Sequence, residues 1–372
     1  RYVRTSWDEL RRAERTLTWR GGPKTMVGPL GLPGEGDLYF ENRGDGTFVD
    51  ATKAAGLTDA AGAYGFGVLA TDYDDDGRID LFVANDTNPN FLYRNLGGRF
   101  ESEGLLAGVA VNAEGRTQAG MGVDAGDYDA DGRLDLVLTT FAHDTYTLFR
   151  SLDGRQFEDA TVAAGLAAPT FDRMGWGVSF FDPDLDGDLD LFFANGHIYP
   201  NVDEFPDLGE AFHQKNQLLL NESGRFRDVS DSAGPGLAVR KANRGLAVGD
   251  IDGDGDPDLL VSSMDDTPTL LRNEQKTGHH FVAFRLEKEG RNRFAIGARV
   301  TVAGGGRRQV REVRSGGSYL SQSDLRPSFG LGRYAGPVDV EVRLPGGARW
   351  RFTGLAGDRL HRLFLKDAER VS

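Results

Sequence analysis

The chemistry in this chain is concentrated in one nine-residue pattern, Asp-x-Asp-x-Asp-Gly-x-x-Asp, written four times, over 72–80, 127–135, 182–190 and 250–258. Its acidic positions are Asp72, Asp74, Asp76 and Asp80, then Asp127, Asp129, Asp131 and Asp135, then Asp182, Asp184, Asp186, Asp188 and Asp190, and finally Asp250, Asp252, Asp254, Asp256 and Asp258. Four or five carboxylates in so short a span repel one another in a folded chain unless a cation sits among them. Asp at the first, third and fifth positions can converge on one ion when glycine at the sixth permits a sharp turn. The carbonyl of the seventh residue (Arg78 and Arg133 in the first two copies) adds an oxygen, and Asp at the ninth closes the shell. Oxygen ligands at about 2.3–2.6 Å suit Ca²⁺, whereas Mg²⁺ keeps more of its own water. An EF-hand would need Glu at the twelfth position between two helices. Here that position holds Val83, Leu138, Phe193 and Val261, inside apolar runs. The expectation is a strand-borne calcium loop and about four ions per chain. The plainer reading, four acidic hairpin turns with solvated charges, does not account for the shared Gly and Asp spacing.

The elements that must carry these loops repeat with them. Gly67, Gly122, Gly177 and Gly245 each stand five residues before the first Asp, followed by Val68, Val123, Val178 and Leu246. After each loop comes an apolar run, as in Leu81-Phe82-Val83-Ala84 and Leu191-Phe192-Phe193-Ala194. A third segment ends in Asn at Asn95, Asn221 and Asn273, and a glycine-containing turn leads to a fourth, as in Arg99-Phe100-Glu101. Four short strands per unit of this length predict the blades of a β-propeller. Residues 38–50 match only the last two strands of a blade, and the outer strand of the last blade is indistinct. The opening Arg1-Tyr2-Val3-Arg4 reads as the interior of something longer, so the expectation is that further blades precede it or lie on a partner chain. Residues 1–37 predict a short helix over Asp8–Arg15 and then a Gly/Pro-rich loop. Residues 38–280 predict the propeller. From 281 the Asp loops stop, and alternating segments at 281–286, 298–303, 309–314, 338–344 and 349–353 predict a separate small β-sandwich over 281–372. The fold class is therefore all-β.

Composition agrees. The 51 Gly and 23 Phe suit short strands, tight turns and aromatic layers. The net charge of −14 argues against nucleic acid as a partner, and four Ca²⁺ ions would bring it to about −6. The absence of Cys excludes disulfide staples and thiolate metal sites. No run of about 18 apolar residues predicts a membrane span. Calcium sites of modest affinity fill outside the cell, so a secreted, periplasmic or extracellular setting is expected.

These residues resemble a known combination. The blades are similar to the FG-GAP/VCBS repeat propellers, the class of the integrin α-subunit heads. The tail resembles the ASPIC/UnbV domain of the cartilage acidic protein family and its bacterial relatives. Asn292-Arg293-Phe294-Ala295-Ile296-Gly297-Ala298-Arg299-Val300, Gly316-Gly317-Ser318-Tyr319-Leu320-Ser321-Gln322-Ser323 and Phe329-Gly330-Leu331-Gly332 carry that likeness. Leu344-Pro345-Gly346-Gly347 departs from it, since the family usually shows Trp-Pro-x-Gly. The resemblance implies a secreted calcium-binding protein of adhesive or matrix type, with catalysis left open.

A ligand site, if there is one, is expected on the face opposite the calcium loops. There the connections between second and third strands differ from blade to blade: Asn85-Asp86-Thr87-Asn88, Thr140-Phe141-Ala142-His143-Asp144, Asn195-Gly196-His197-Ile198-Tyr199-Pro200 and Ser263-Met264-Asp265-Asp266. The third is the longest, running on to His213. Arg116, Arg173 and Arg244 add positive charge to the same face. His143, His197 and Tyr199 are the candidate catalytic residues. His143 and His197, with Asp86 or Asp265, could form a second metal site, or hold an anion or sugar beside the arginines. The bland alternative is that His197 packs its own loop. Two hypotheses follow: a binding or adhesion module for a glycan or protein, or an enzyme on a polysaccharide or small molecule with its site around His197. Three further motifs have simpler readings. Arg43-Gly44-Asp45 falls on a turn, Asn85-Asp86-Thr87 and Asn221-Glu222-Ser223 are sequons, and Arg307-Arg308 to Arg314 reads as a solvated strand edge. No GxSxG, P-loop, HExxH or dinucleotide fingerprint is present.

Overall fold

The computed structural model describes residues 2–12, 16–26, 28–58 and 62–371. The chain is nearly all β, and its four-stranded antiparallel sheets are propeller blades. Blade I comprises Gly65–Thr71, Asp80–Asn85, Phe91–Asn95 and Phe100–Ser102, joined in sequence order. Blade II comprises Val123–Gly126, Asp135–Leu138, Thr147–Ser151 and Phe157–Asp159. Blade III comprises Gly175–Phe181, Asp190–Asn195, Gln217–Asn221 and Phe226–Asp228. Blade IV shows three strands, Asn243–Gly249, Asp258–Ser263 and Asp266–Leu271. Ahead of them Phe40–Asn42 and Phe48–Asp50 form a two-stranded hairpin, matching the half-blade expected there. The N-terminal helix spans Trp7–Arg12, and residues 13–15 of the expected helix lie outside the described residues.

Blades II and III are buried on both faces, which is why their inner strands read as near-continuous apolar runs, whereas blade IV leaves Leu260 and Leu270 exposed. Alternation decides which neighbour each side chain meets. In blade II, Leu136 and Leu138 pack with Leu69, Phe82 and Leu92 of blade I. Val137 between them points the other way, into a cluster with Val178, Leu191 and Phe193 of blade III. Phe181 and Phe192 of blade III then meet Leu246, Leu259 and Val261 of blade IV. Full burial of each such side chain contributes about 1.5–3 kcal/mol.

The repeated glycines mark where successive inner strands touch. A Cβ on Gly67 would lie 2.3 Å from the carbonyl oxygen of Met121, and one on Gly122 would lie 1.8 Å from that of Trp176. On Gly177 it would meet the carbonyl oxygen of Arg244 at 2.9 Å. Each partner is the residue just before the next blade's glycine. Gly245 of blade IV keeps the rule with a substitute: it faces Ser321 Oγ at 2.6 Å and the Tyr319 carbonyl at 3.2 Å. The C-terminal segment thus supplies the contact that another inner strand would make.

From His280 onward two sheets share a separate core of Val282, Phe284, Val300, Phe329, Val340 and neighbours. The smaller sheet is His280–Glu287 between Ser328–Gly332 and Arg359–Phe364. The larger is led by Arg307–Glu312 and continues through Arg299–Gly304, Val338–Arg343, Arg349–Leu355 and Glu369–Val371. Between Glu312 and Ser328 the chain leaves these sheets and runs along the blades. Ser318 and Val123 exchange backbone hydrogen bonds at 2.7 and 3.1 Å, and Asp324 N–H donates to the Val248 carbonyl at 2.9 Å. Tyr319 stacks on Phe66 and meets the edge of Trp176.

The arginines of 307–314 are a solvated edge only in part: Arg307 and Arg308 are exposed, while Arg311 and Arg314 are half-buried. Their strand is at the edge of its sheet, but it faces the blades: Arg307 bonds Asp188 at 2.9 Å and Arg314 bonds Asp124 at 2.7 Å. Both sequon asparagines are buried, with their amides donating to the carbonyls of Pro89 (Asn85) and of Tyr128 and Leu189 (Asn221). Arg43-Gly44-Asp45 sits on the hairpin turn, where Asp45 accepts from the Thr47 amide and hydroxyl.

Gly122→Ala forces a methyl group into a backbone carbonyl that two blades hold in place, so it is expected to cost about 3 kcal/mol. Gly28→Ala, with nothing within 4 Å of its Cβ, is expected to be neutral. Urea denaturation of both variants in calcium measures the difference.

Candidate metal centres and the opposite face

Each Asp loop is the hairpin between the first two strands of a blade. The register pairs the residue before the first Asp with the ninth: Thr71 with Asp80, Gly126 with Asp135, Phe181 with Asp190 and Gly249 with Asp258. The turn needs two left-handed residues. The sixth-position glycines Gly77, Gly132, Gly187 and Gly255 have φ of 86–101°. The fourth position is also left-handed, at Asp75, Ala130 and Leu185, and only the fourth loop places glycine there, at Gly253. In the first three loops the sixth residue's N–H donates to the first Asp at 3.0–3.1 Å, which fixes one carboxylate oxygen and leaves the other for an ion.

The geometry gathers the first, third and ninth carboxylates. Asp72, Asp74 and Asp80 offer ligand atoms within 4.8 Å of one another, as do Asp127, Asp129 and Asp135, and Asp182, Asp184 and Asp190. The fifth-position residues Asp76, Asp131 and Asp186 stand outside these triads and cap the N–H of the seventh residue at 2.9 Å. Asp76 and Asp131 also pair with Arg78 and Arg133, whose side chains turn to the carbonyls of Asn95 and Ser151. The fourth loop differs. Asp250, Asp252 and Asp254 come together, more exposed than the others, while Asp258 accepts from Ile251 and Asn273. The residue closing the third strand belongs to every site: the N–H of Asn95, Ser151, Asn221 and Asn273 donates to the ninth Asp at 2.6–2.8 Å.

The donor set fits a calcium ion. Buried carboxylate oxygens without a hydrogen-bond partner occur in every loop: Asp72 Oδ1 and Asp80 Oδ2, Asp127 Oδ1 and Asp129 Oδ1, Asp182 Oδ1 and Asp190 Oδ2, and Asp256 Oδ1. A buried anionic oxygen with no partner is costly, and a hard cation ligated by oxygen relieves it. Without an ion, burial pushes the Asp80 carboxyl up to about 8, Asp182 to about 7 and Asp190 to about 9, with neighbouring carboxylates adding to the rise.

The C-terminal sheets contribute basic groups to these loops. Arg343 reaches Asp72 at 2.8 Å and also contacts Asp75, which Arg299 contacts too. Burial raises Asp72, while Arg343 and Arg299 oppose the rise. Gly346 N–H donates to the Gly77 carbonyl at 2.7 Å, and Gly330 N–H to Asp182 at 3.1 Å. Arg326 donates to the Asp250 carbonyl at 3.1 Å.

On the opposite face the structure joins His143 and His197 through a residue the sequence reading missed. Glu210 lies 2.6 Å from His143 Nε2 by one oxygen and 3.0 Å from His197 Nε2 by the other, and Trp19 Nε1 donates to it at 2.8 Å. The His197 Nε2 contact is close but poorly aligned for a hydrogen bond. His197 Nδ1 accepts from the Tyr199 N–H at 3.1 Å. Burial works to raise Glu210, yet the close His197 imidazole, the Trp19 hydrogen bond and the charge of the adjacent imidazoles hold it below the usual range. His197 is fully buried, ringed by Trp19, Phe141 and Tyr199 at centroid distances of 5.4–6.4 Å. Arg244 lies over Trp176 at 4.1 Å and donates to the His197 carbonyl. Asp86 does not join the imidazoles: it accepts from the Tyr2 hydroxyl. Among the described residues the groups able to hold a metal are the four Asp sets, and neither histidine nor Asp265 is part of one.

The FG-GAP-like repeat model matches residues 72–138 and 201–261, and the ASPIC and UnbV model matches 288–370. The chain carries FG-GAP-like repeats followed by an ASPIC/UnbV domain. It is homologous to cartilage acidic protein 1. It is 28% identical to that of Homo sapiens over 337 residues, covering 86% of this chain and 47% of the relative. It is 28% identical to that of Xenopus tropicalis over 346 residues, covering 88% and 42%. The chain therefore spans less than half the length of these relatives. Among solved structures it is similar to an Agrocybe aegerita lectin that recognises non-reducing terminal N-acetylglucosamine, with 19% identity, 65% and 77% coverage and a TM-score of 0.32. A Trypanosoma rangeli sialidase is 11% identical, with 86% and 58% coverage and a TM-score of 0.30. FG-GAP-like repeats and this homology point to a module of binding or adhesion type, and the Asp triads could hold metal ions.

Two outcomes are expected. Calcium titration by calorimetry should fill three sites before the fourth, the last roughly tenfold weaker because its ligands are less enclosed. Asp182→Ala should remove one tight site and Asp252→Ala the weak one. The second outcome concerns pH. Carboxyls raised in the folded state bind more protons there than in the unfolded chain. In chelator, stability is therefore present below the ordinary carboxylate range and lost as pH rises from about 4 to about 9. Saturating calcium should abolish that decline, and melting temperatures across the range test it.

Proposed function

We propose that the protein is a secreted, calcium-stabilised binding module that takes a glycan or protein on the face opposite its Asp loops. The observation that carries this reading is the state of the His197 cluster. Its imidazole is enclosed, its Nδ1 is occupied by the Tyr199 amide, and Glu210 is shared among two imidazoles and an indole. Groups committed to one another in this way hold the long 196–213 connection rigid. What they support is a shelf of partly exposed side chains: Trp19, Phe141, Ile198, Tyr199 and Tyr319. Aromatic rings with polar edges suit the apolar faces of sugar rings and the anchor residues of a protein partner. Calcium of the extracellular concentration range would keep the blades locked, and the homology to cartilage acidic protein 1 supports a place outside the cell. Among the described residues no helix is long and apolar enough to cross a membrane.

Binding to arrayed glycans and to extracellular matrix proteins, with and without chelator, tests the proposal. Tyr199→Ala and Phe141→Ala should weaken the ligand found by roughly tenfold while leaving the calcium-dependent melting temperature unchanged, as expected for anchors at the centre of a contact. A His197→Ala variant that melts normally but loses turnover of a polysaccharide would replace this reading with the enzymatic one.

A further inference from the structure

A cavity of about 180 Å³ lies between the inner strands of blades II to IV and the C-terminal sheets. Its size is that of roughly six waters at liquid density, which suits a molecule of a few heavy atoms. Its C-terminal side carries three arginines, three serines and two carboxylates, among them Arg311, Arg314, Ser318 and Ser323.

Each of these four has hydrogen-bonding capacity left over. Ser318 Oγ accepts from the Val178 N–H and Ser323 Oγ from the Val248 N–H, both at 3.1 Å, so each hydroxyl proton remains to be donated. Arg314 gives Nη2 to Asp124, while its Nη1 is buried without a partner. Arg311 donates from Nη1 to the Val310 carbonyl at 3.0 Å and makes only a long contact to Gln309 at 3.4 Å. Among the described residues no carboxylate comes within ion-pair distance of it. Arg311 is half-buried, lies over the Phe329 ring at 5.3 Å and lines the cavity. Outside the calcium loops, the nearby acceptors are already taken. Asp124 receives Arg314 and the Ala125 amide on one oxygen, and Ser179 and the Phe180 amide on the other. Glu312 receives the Asp72 amide and the Thr71 hydroxyl, and Asp324 pairs with Arg326.

With Asp182 and Asp250 given to the calcium loops, the cavity's three arginines are matched by Asp124, Glu312 and Asp324. What it offers beyond its own walls is hydrogen-bond donors left over on Arg311, Arg314, Ser318 and Ser323. A guanidinium withdrawn from water without a directly bonded anion is costly, and charge-assisted bonds to an oxyanion offset that cost. We propose that this interdomain cavity binds one small oxyanion, an inorganic ion or the carboxylate of an organic acid, held by Arg311 and Arg314 with Ser318 and Ser323 completing its hydrogen bonds. Asp182 and Asp250 also line the space and belong to the calcium loops, so the site is assayed in the calcium-saturated full chain.

Sulfate and malonate are titrated into that protein by calorimetry, at fixed ionic strength with chloride as the background ion. One saturable site per chain is expected. Preference for sulfate identifies an inorganic ligand, and preference for malonate an organic acid. Arg311→Gln should weaken binding at least tenfold. Ser323→Ala removes one donor without touching an ion pair and should weaken it several-fold, so it decides the matter where the arginine variant does not fold. Absence of saturable binding by either anion, or equal affinity in wild type and Ser323→Ala, overturns the proposal.

Discussion

The constraint on which this molecule depends is the repulsion and desolvation of carboxylates gathered at the hairpin between the first two strands of every blade. A ninth Asp must be buried to accept the N–H that ends the third strand, and a first Asp must be buried to accept the N–H of the turn glycine. Those bonds set the hairpin and tie three strands together, but they use only some of the oxygens. The remainder are inside the protein with no partner. An oxygen-ligated cation resolves the conflict at a stroke, which is why metal and fold are one question here and not two.

The C-terminal sheets answer the same electrostatic problem from outside. Arg343 and Arg299 meet the first loop, Arg307 the third and Arg326 the fourth. Arg311 lies near the second and third without a direct pair, and the field of Asp182 and Asp127 partly offsets the cost of enclosing it. The two parts of the chain are thus joined by charge at the loops and by backbone at the segment that continues the inner ring. Stability of one is inseparable from the charge state of the other.

What was legible in the sequence was local. The nine-residue loop, the glycine five residues ahead of it and the Asn that ends the third strand each lie within one repeat, and four copies average out the ambiguity of any single strand. The strands Ser328–Gly332, Arg359–Phe364 and Glu369–Val371 were missed because the tail does not repeat. Asp76 and Asp131 bond a nearby N–H and an arginine, contacts that compete with an ion and that spacing does not report. Glu210 was invisible for a different reason. It lies 67 residues from His143 and 191 from Trp19, and only the folded arrangement brings an acid, two imidazoles and an indole together. Arg307 and Arg308 are exposed as the sequence suggests, but the half-burial of Arg311 and Arg314 was not legible, because alternation says which face a side chain takes, not what that face meets.

The substitution of Tyr319 and Ser321 for a neighbouring inner strand has a consequence for anyone trimming or recombining such modules. Cutting at the last aspartate repeat would not liberate a self-sufficient disc. It would bare Gly245 and leave the Val248 N–H and carbonyl without their partners, an edge open to self-association. The boundary that respects the physics runs beyond Asp324. A chimera grafting these blades onto another tail must import that fifteen-residue insert with them, or furnish a replacement strand of equal reach.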